Sequence, residues 1–469
     1  MIKKIQQDFI YFLHEFKDNY RKGVHRLRTI LASRAQAQAF VSNAGGVAVV
    51  LGYEPSAPDK NAQELYALLA ASPYIDDAVQ TFLGSIYEAG AESKDAMYSD
   101  SARCLEILHD PVMARAAGAG AVSAGKWIAT LAGQSCNLYR DMNAVAASDI
   151  AMTAVAASET AMEAVISSTI ALNAVAASKT AMTAVAANET AMVAVAASRV
   201  AMSAIIGNST ALNAVVTSSV AMTAVINNAA ALNAVVSSST AMTAVAASST
   251  AMTAVIGNSA ALNAVVSSQT AMAAVAASDV AVAAVYGSAV AVDAVKANET
   301  AWATLTGATS AVMGKAAAKL AGLNPADYAD MAAIASSSTA MTAVAASSTA
   351  MAAIANNKTA ITAVEASAVA KNALYNSPLK TSISNIASTS SWTTRRNGKI
   401  WLISFRQTWS SGNTSMQHRS TLKDGGTVSC TASQSYNTDY RIDRFMDSIT
   451  NYNSAGGIGN VCTYYFIPC

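Results

Sequence analysis

A ten-residue pattern of apolar and polar positions repeats without insertion or deletion from Asp141 to Ser310. As in the unit AMTAVAASST (241–250), Ala recurs at position 1, Met or Leu at position 2, Ala at position 4, Val or Ile at position 5, and Ser or Asn at position 8. After an interruption at 311–329, a second array occupies 330–377, displaced by one residue from the first register. Self-similarity at a short fixed period indicates a repeat architecture in which each unit contacts its neighbours along one direction.

The repeat favours short helices over one long helix. Positions 1, 4, 5 and 8 fit one helical face, and Ala and Met are good helix formers. Ten residues at about 100° each rotate that face by about 80° from one unit to the next, so a straight helix does not suit the period. We therefore predict about two helical turns and a kink in each unit. Helices this short must bury positions 1, 2, 4 and 5 against neighbouring units or other chains.

Positions 7 to 9 carry the signals for the predicted break. Position 7 holds every glycine of the first array, namely Gly207, Gly257, Gly287 and Gly307, and glycine accepts the left-handed conformation that ends many helices. Position 8 holds the Ser and Asn residues preferred as N-caps, and Asp141 and Asp330 open the two arrays in the same way. Position 9 is acidic in five units of the first array and basic in two, at Lys179 and Arg199, and the helix dipole favours acidic residues in a first turn. The acidic residues are Asp149, Glu159, Glu189, Asp279 and Glu299.

The competing interpretation is a β-solenoid shaft, in which each ten-residue unit forms one or two edges of a coil. Val, Ile and Thr suit strands, but Ala and Met do not, and the strict alternation of a half-buried strand is not kept. The predicted fold class is mainly α: an elongated repeat fibre of short kinked helices with a small β-rich C-terminal tip.

The segments before the arrays are predicted to be helical. Residues 1–54 have aromatic side chains among Lys and Arg and are interpreted as an amphipathic attachment region. Gly45-Gly46 and PSAP (55–58) mark a predicted linker. Residues 55–140, with helix formers such as those in AQELYALLAAS, lead into the shaft.

Residues 378–469 differ in composition and are predicted to form the β-rich aromatic tip domain. KIWLISFRQTW alternates and is rich in β-prone residues, and the final VCTYYFIPC is predicted to be a buried strand. YRIDRFMDSI is interpreted as a short helix with Asp439, Asp443 and Asp447 on one face. The arginines between them favour a salt-bridged surface over metal or acid–base chemistry.

Composition excludes several functional classes. Charged residues make up 13% of the chain and the formal net charge is +1, so a clustered basic surface for nucleic acid is not expected. Ser, Thr or Asn interrupts every apolar run, and no membrane span is predicted. The N-terminus lacks the apolar core of a signal peptide, and the five cysteines have no CxxC spacing, which is typical of free thiols in a reducing cytoplasm.

No catalytic motif is found, and the protein is not expected to be an enzyme or to need a cofactor or metal. None of the four histidines has a partner at metal-binding spacing, and no nucleophile motif or phosphate-binding glycine loop occurs. Aromatic and Arg residues of the tip are instead the candidates for receptor binding: Trp401, Trp409, Tyr436, Tyr440, Arg441 and Tyr452.

Units such as AMTAVAASST and ALNAVVSSST resemble the Ala-rich decapeptide repeats of tail-fibre proteins of bacteriophages and prophages. The resemblance covers 141–310 and 330–376 and includes no catalytic motif. It implies a homotrimer in the virion tail, made in the bacterial cytoplasm. It also implies attachment to other tail or baseplate proteins at the N-terminus and a C-terminal tip that binds a bacterial surface glycan or protein.

Two alternatives remain open at this point. One is a bacterial surface adhesin or envelope scaffold, against which the absence of a secretion signal counts. The other is a tip that depolymerises capsule or lipopolysaccharide, although the tip contains no glutamate and only four aspartates.

Overall fold

The computed structural model describes residues 20–54, 59–88, 93–386, 393–408, 416–421, 427–432, 439–453 and 461–469. The chain divides into two compact units, Met1–Val235 and Val236–Cys469. In the described residues it is mainly helical, with one antiparallel sheet near the C-terminus.

The helices before the first array pack on one another. Their bounds are Tyr20–Leu31, Arg34–Val41, Ala44–Leu51, Lys60–Ala70, Ile75–Ile86, Lys94–Tyr98, Ser101–His109, Pro111–Ala117 and Ala121–Leu131, followed by a 3-10 turn at Cys136–Leu138. Arg115 connects helix Pro111–Ala117 to the end of helix Ala44–Leu51, because its Nη2 donates to the carbonyls of Leu51 at 2.8 Å and Tyr53 at 2.6 Å. The prediction of a linker is wrong at Gly45 and Gly46, since both lie inside a helix that buries Gly46. Its other part, PSAP at 55–58, lies outside the described residues.

Each ten-residue unit forms one helix, as the pattern predicts. The first array comprises Met142–Ala147, Asp149–Ala157, Glu159–Ser167, Thr169–Ala177, Lys179–Ala187, Glu189–Ala197, Arg199–Ile206, Ser209–Thr217, Ser219–Asn227, Ala229–Ser237, Ser239–Ala247, Ser249–Ile256, Ser259–Ser267, Gln269–Ala276, Asp279–Tyr286, Ala289–Lys296 and Glu299–Thr306. Next come helix Ser310–Leu320 and a 3-10 turn at Pro325–Asp327. The second array comprises Met331–Ser336, Ser338–Ala345, Ser348–Ala355, Lys358–Ala366 and Ala368–Tyr375. The β-solenoid alternative is therefore wrong.

One extended residue at position 8 joins each helix to the next. Ser148, for example, has φ −94° and ψ 119°, and its side chain accepts a hydrogen bond from the backbone N–H of Ala151. Asn258 caps helix Ser259–Ser267 in the same way, accepting from Ala261 N at 3.0 Å. These N-caps confirm the predicted start of each helix. Consecutive helices such as Glu189–Ala197 and Arg199–Ile206 meet at about 100°.

The glycines at position 7 do not end their helices in the left-handed conformation that the sequence suggested. Gly207 has φ −76°, Gly257 φ −72°, Gly287 φ −73° and Gly307 φ −85°. The change in direction comes entirely from the extended position 8, so position 7 keeps helical geometry and accepts any small residue. This explains why Ala and Ser also occupy it.

Within each compact unit, a helix of the array packs against the third helix along the chain. Asp149–Ala157 lies on Lys179–Ala187 in the first unit, and Ser239–Ala247 lies on Gln269–Ala276 in the second. Hydrogen bonds between residues 32 positions apart connect such pairs, from the position-8 hydroxyl to the position-6 carbonyl. Examples are Ser178 to Ala146 at 2.5 Å, Ser218 to Ala186 at 2.5 Å, Ser278 to Ala246 at 2.6 Å and Ser367 to Ala335 at 2.5 Å.

This packing buries the apolar positions within a single chain. In a typical unit, Ala241, Met242, Val245 and Ala246 are at most 2% exposed. The buried positions are thus 1, 2, 5 and 6, whereas position 4, which was expected to be buried, is generally half-buried. The sequence left open whether neighbouring units or other chains cover the apolar face. Neighbouring units of the same chain cover it here, and its burial requires no second chain.

The C-terminal residues form a six-stranded antiparallel sheet in the described part of the chain, with strand order β1-β6-β2-β5-β3-β4. The strands are β1 Thr381–Ile386, β2 Thr393–Thr408, β3 Met416–Thr421, β4 Thr427–Ala432, β5 Asp439–Asn453 and β6 Val461–Pro468. One buried cluster comprises Ile400, Leu402, Phe405, Met446, Ile449, Tyr464 and Phe466. Residues 399–408 of KIWLISFRQTW lie in β2 and residues 461–468 of VCTYYFIPC form β6, so both are strands as predicted. YRIDRFMDSI is not a helix but part of β5, where cross-strand pairing with β2 outweighs its local helical pattern.

Candidate functional site: the junction between the sheet and the second array

The last helices of the second array depart from the repeat where they meet the sheet. Glu365 and Tyr375 occupy position 6, which elsewhere holds mainly Ala, Val or Ile, and Lys371 occupies position 2 in place of Met or Leu. Helices Ser348–Ala355 and Lys358–Ala366 contact strands of the sheet. Charged and aromatic residues thus stand at this junction in repeat positions that normally face the core, although Tyr286 and Lys296 also occupy position 6 in the first array.

A bulge in β5 directs polar groups towards these helices. Leu402 of β2 pairs with Arg444 and Ser404 pairs with Arg441, so two residues of β5 oppose one residue of β2. One of the two, Asp443, has φ 52°, a left-handed conformation that is uncommon outside glycine. Bulges bend a strand and change the direction of its side chains, and this bulge lies between the two arginines that contact the array.

Glu365 is the main acceptor at the junction. One carboxylate oxygen accepts from Arg444 Nη1 at 2.8 Å, and the other accepts from the backbone N–H of Phe445 at 2.9 Å. The Glu365 side chain is 15% exposed, so water screens this ion pair less than a surface pair. The two bonds fix β5 on helix Lys358–Ala366.

Arg441 makes a second set of contacts with the array. Its Nη2 donates to the carbonyl of Lys371 at 3.3 Å, and its guanidinium lies 4.7 Å from the centroid of the Tyr375 ring. Lys380 Nζ lies 4.2 Å from the same ring, so Tyr375 contacts two cations. Asp443 pairs with Arg441 Nε at 2.9 Å. The geometry of Arg441 is thus set by groups within the protein.

A third contact joins β2 to the array. Lys399 Nζ donates to Asn356 Oδ1, and Asn356 Nδ2 donates to the carbonyl of Ala352 at 2.8 Å. Asn356 is 7% exposed. The junction therefore consists of three polar contacts, through Glu365, Arg441 and Asn356, which hold the sheet on the last turn of helices.

Charged groups of β5 are paired as the sequence suggested, although on a strand. Asp439 Oδ1 accepts from Arg406 Nε at 2.7 Å and Oδ2 accepts from Nη2 at 2.9 Å. This two-point pairing raises the pKa of the Arg406 guanidinium through its hydrogen bond and attraction to Asp439. With Asp443 bound to Arg441, two of the three aspartates in the proposed cluster form salt bridges.

Of the six predicted receptor-binding residues, one lies in the core, one contacts the array, and four lie wholly or partly outside the described residues. Trp401 is fully buried and packs edge-on against Phe445, with ring centroids 4.9 Å apart, so it is a core residue. Arg441 is exposed but contacts the array. Tyr440 and Tyr452 lie in β5 with their backbones paired to β2 and β3, and their side chains are outside the described residues. Trp409 and Tyr436 are also outside the described residues.

A cleft of about 300 Å³ lies beside Arg441 between helices Ser338–Ala345 and Ala368–Tyr375. Its lining residues are Ser338, Thr342, Val369, Asn372, Ala373, Asn376, Ser377 and Pro378. A cleft of about 400 Å³ between helices Glu189–Ala197 and Ser219–Asn227 is lined by many of the same repeat positions. The cleft is therefore a groove of the repeat packing and not a feature special to the junction.

The described residues contain no group of three or more His, Cys, Asp or Glu side chains placed to hold a metal ion. Over the same part of the chain, every single helix is too short or too polar to cross a membrane. Seven pairs of consecutive helices would meet that requirement by length and composition, but each pair is sharply bent at its joint.

Comparison with known proteins finds no matching family model and no significant curated relative. The class of protein is therefore defined by the fold alone. It is an array of short helices in which each helix packs on the third helix along the chain, and the array ends in a sheet that contacts its last helices.

Proposed function

We propose that the protein is a structural tail fibre of a bacteriophage, an α-solenoid arm that carries a receptor-binding sheet. The observation that supports this most directly is the junction, where Glu365, Arg441 and Asn356 hold the sheet on the last helices of the array. A sheet held rigidly at the end of a repeat array suits the presentation of a binding surface. The ten-residue repeat resembles that of phage tail fibres and supports the same proposal.

In this proposal, the N-terminal region attaches to other tail or baseplate proteins and the sheet contacts a glycan or protein on the bacterial surface. The protein works in the virion and has no catalytic role. A quasi-one-dimensional repeat array is suited to the arm because every unit contributes the same interface with its neighbours and length is added without a larger core.

The proposed fibre is a homotrimer whose chains do not share the apolar face of the repeat. Each chain buries its own apolar positions, so contacts between chains would use the exposed positions 3, 7 and 9, which hold mainly small or polar residues. Such contacts are more polar than the interior of the array and are expected to be weaker than the packing within each chain. Sedimentation velocity of the full-length chain should show an elongated species of three chains.

Immunogold electron microscopy tests the function. An antiserum against the purified full-length chain is applied to phage particles and, in parallel, to the envelopes of uninfected bacteria. The proposal predicts gold on the tails of particles. Gold on bacterial envelopes with none on particles would overturn it in favour of a surface adhesin or envelope scaffold.

A further inference from the structure

The interruption between the two arrays repeats the segment that precedes the first array. Residues 121–142 read AVSAGKWIATLAGQSCNLYRDM, and residues 310–331 read SAVMGKAAAKLAGLNPADYADM. Aligned without a gap, the two segments share Gly-Lys, Leu-Ala-Gly, Tyr and Asp-Met. The offset of 189 residues is one less than a multiple of ten, which explains why the second array is displaced by one residue.

The two segments also share their backbone structure. Each contains an 11-residue helix, then a glycine with positive φ (71° at Gly133 and 74° at Gly322), then a 3-10 turn. Each ends in an aspartate that caps the first helix of an array, since Asp141 accepts from Ala144 N and Asp330 accepts from Ala333 N, both at 2.9 Å.

A close backbone crossing occurs at the same place in both segments. A Cβ atom added at Gly125 would lie 2.4 Å from the carbonyl carbon of Asp141, and one added at Gly314 would lie 2.3 Å from that of Asp330. Only glycine allows the long helix to approach the capping aspartate this closely.

Each segment also supplies an acceptor for the second position-8 residue of its array. Later position-8 hydroxyls bond to carbonyls 32 residues earlier, within the array. Near each start no such carbonyl exists, and Ser158 Oγ instead donates to Leu131 O at 3.1 Å, whereas Ser347 Oγ donates to Leu320 O at 3.0 Å. Both of these bonds span 27 residues.

The long helix in each segment replaces the missing preceding turn of the array. Ala121–Leu131 contacts each of the next four array helices, and Ser310–Leu320 does the same in the second array. The first helices of a repeat array lack preceding neighbours to cover their apolar faces, and capping units with a different sequence normally solve this problem.

We propose that residues 121–142 and 310–331 are two copies of one start element, each of which begins its own array. Residues 310–469 then comprise a start element, five short helices and the sheet, and the long helix of this start element also packs on helix Asp279–Tyr286 of the first array. Folding of the second array and the sheet depends on the start element at 310–331 and not on the one at 121–142.

Matched glycine substitutions in the full-length chain test the proposal, with hydrogen exchange read segment by segment by mass spectrometry. Gly125→Ala should reduce protection of Met142–Ala147 and the helices that follow it by at least tenfold, while 331–375 and the sheet stay protected. Gly314→Ala should reduce protection of 331–375 and the sheet to a similar extent, while 142–197 stays protected. Gly207→Ala is the control, because its φ is helical and the nearest atom to an added Cβ, Ser203 O of the same helix, would lie 3.3 Å away and not 2.3–2.4 Å as at Gly125 and Gly314.

Two results would overturn the proposal. Loss of protection in 331–375 upon Gly125→Ala would show that the second array depends on the first start element. Full protection of 331–375 in Gly314→Ala would show that 310–331 does not start the second array. If the glycine variants do not accumulate as folded protein, Ser158→Ala and Ser347→Ala provide the same comparison with a smaller perturbation, and the same two patterns decide it.

Discussion

The hydroxyl at position 8 is predicted to stabilise two helices at once, and Ser218 is suited to testing this. Its Oγ accepts from Ala221 N at 3.2 Å, which caps helix Ser219–Asn227. The same Oγ donates to Ala186 O at 2.5 Å, near the C-terminal end of helix Lys179–Ala187. One hydroxyl therefore satisfies an N–H and a C=O that helix ends leave without intrahelical partners.

The cost of Ser218→Ala follows from these two bonds. Loss of an N-cap costs about 0.5–2 kcal/mol, and loss of a neutral hydrogen bond costs about 0.5–1.5 kcal/mol. We expect the local opening free energy to fall by roughly 1–3 kcal/mol, which corresponds to about a 5- to 150-fold loss of protection from exchange.

Hydrogen exchange at helices Lys179–Ala187 and Ser219–Asn227 in the full-length chain is the appropriate assay. Local opening energies are meaningful in a long repeat array, whereas a single global unfolding energy is not, because such arrays depart from two-state behaviour. Both helices should lose protection, since the hydroxyl contacts both.

Ser219→Ala provides the matched control. Ser219 is the next residue, is exposed and occupies position 9, so its substitution should change protection little. Ser218→Asn should preserve most of the protection, because Asn298 makes both contacts at its own joint, accepting from Ala301 N at 3.0 Å and donating to Val266 O at 3.4 Å. Equal effects of Ser218→Ala and Ser219→Ala would refute the reasoning.

Two further predictions concern the ends of the arrays. Burial alone would raise the pKa of Asp141, but its bonds to Ala144 N and Arg140 hold the pKa below the ordinary value. Its contribution to stability is therefore present above the unfolded pKa and lost as pH falls through the folded pKa. Thermal melts by circular dichroism should show wild type above Asp141→Asn at neutral pH and equal to it in strong acid, and a constant difference across pH would contradict this. Glu365→Ala removes the acceptor of Arg444 Nη1 and Phe445 N and should weaken docking of the sheet by about 1–3 kcal/mol. Exchange in β5 should rise about 5- to 150-fold, whereas Glu299→Ala, an exposed first-turn substitution, should leave β5 unchanged.

Sequence reasoning predicted the features that local chemistry controls. The ten-residue period, the helix in each unit and its start at position 8 follow from helix propensity and N-cap preference, both of which act over a few residues. The same local reasoning failed at the position-7 glycines, because an extended position 8 turns the chain without a left-handed residue.

Other features depend on residues far apart in the chain. β5 is a strand despite a helical spacing of its aspartates, because it pairs with β2. Glu365 is an unusual residue at position 6 of the repeat, but only the tertiary structure shows that it accepts a hydrogen bond from Arg444 of the sheet.

The sequence by itself determined that this chain is an array of short capped helices with a different, aromatic C-terminal domain. Only the tertiary structure decided that each helix packs on its third neighbour, and hence that one chain covers its own apolar face. The physical reason is the bend of about 100° at each extended joint. That angle brings residues 32 positions apart into hydrogen-bonding distance, and short helices of this kind are stable only through such contacts between units, which no single unit can make.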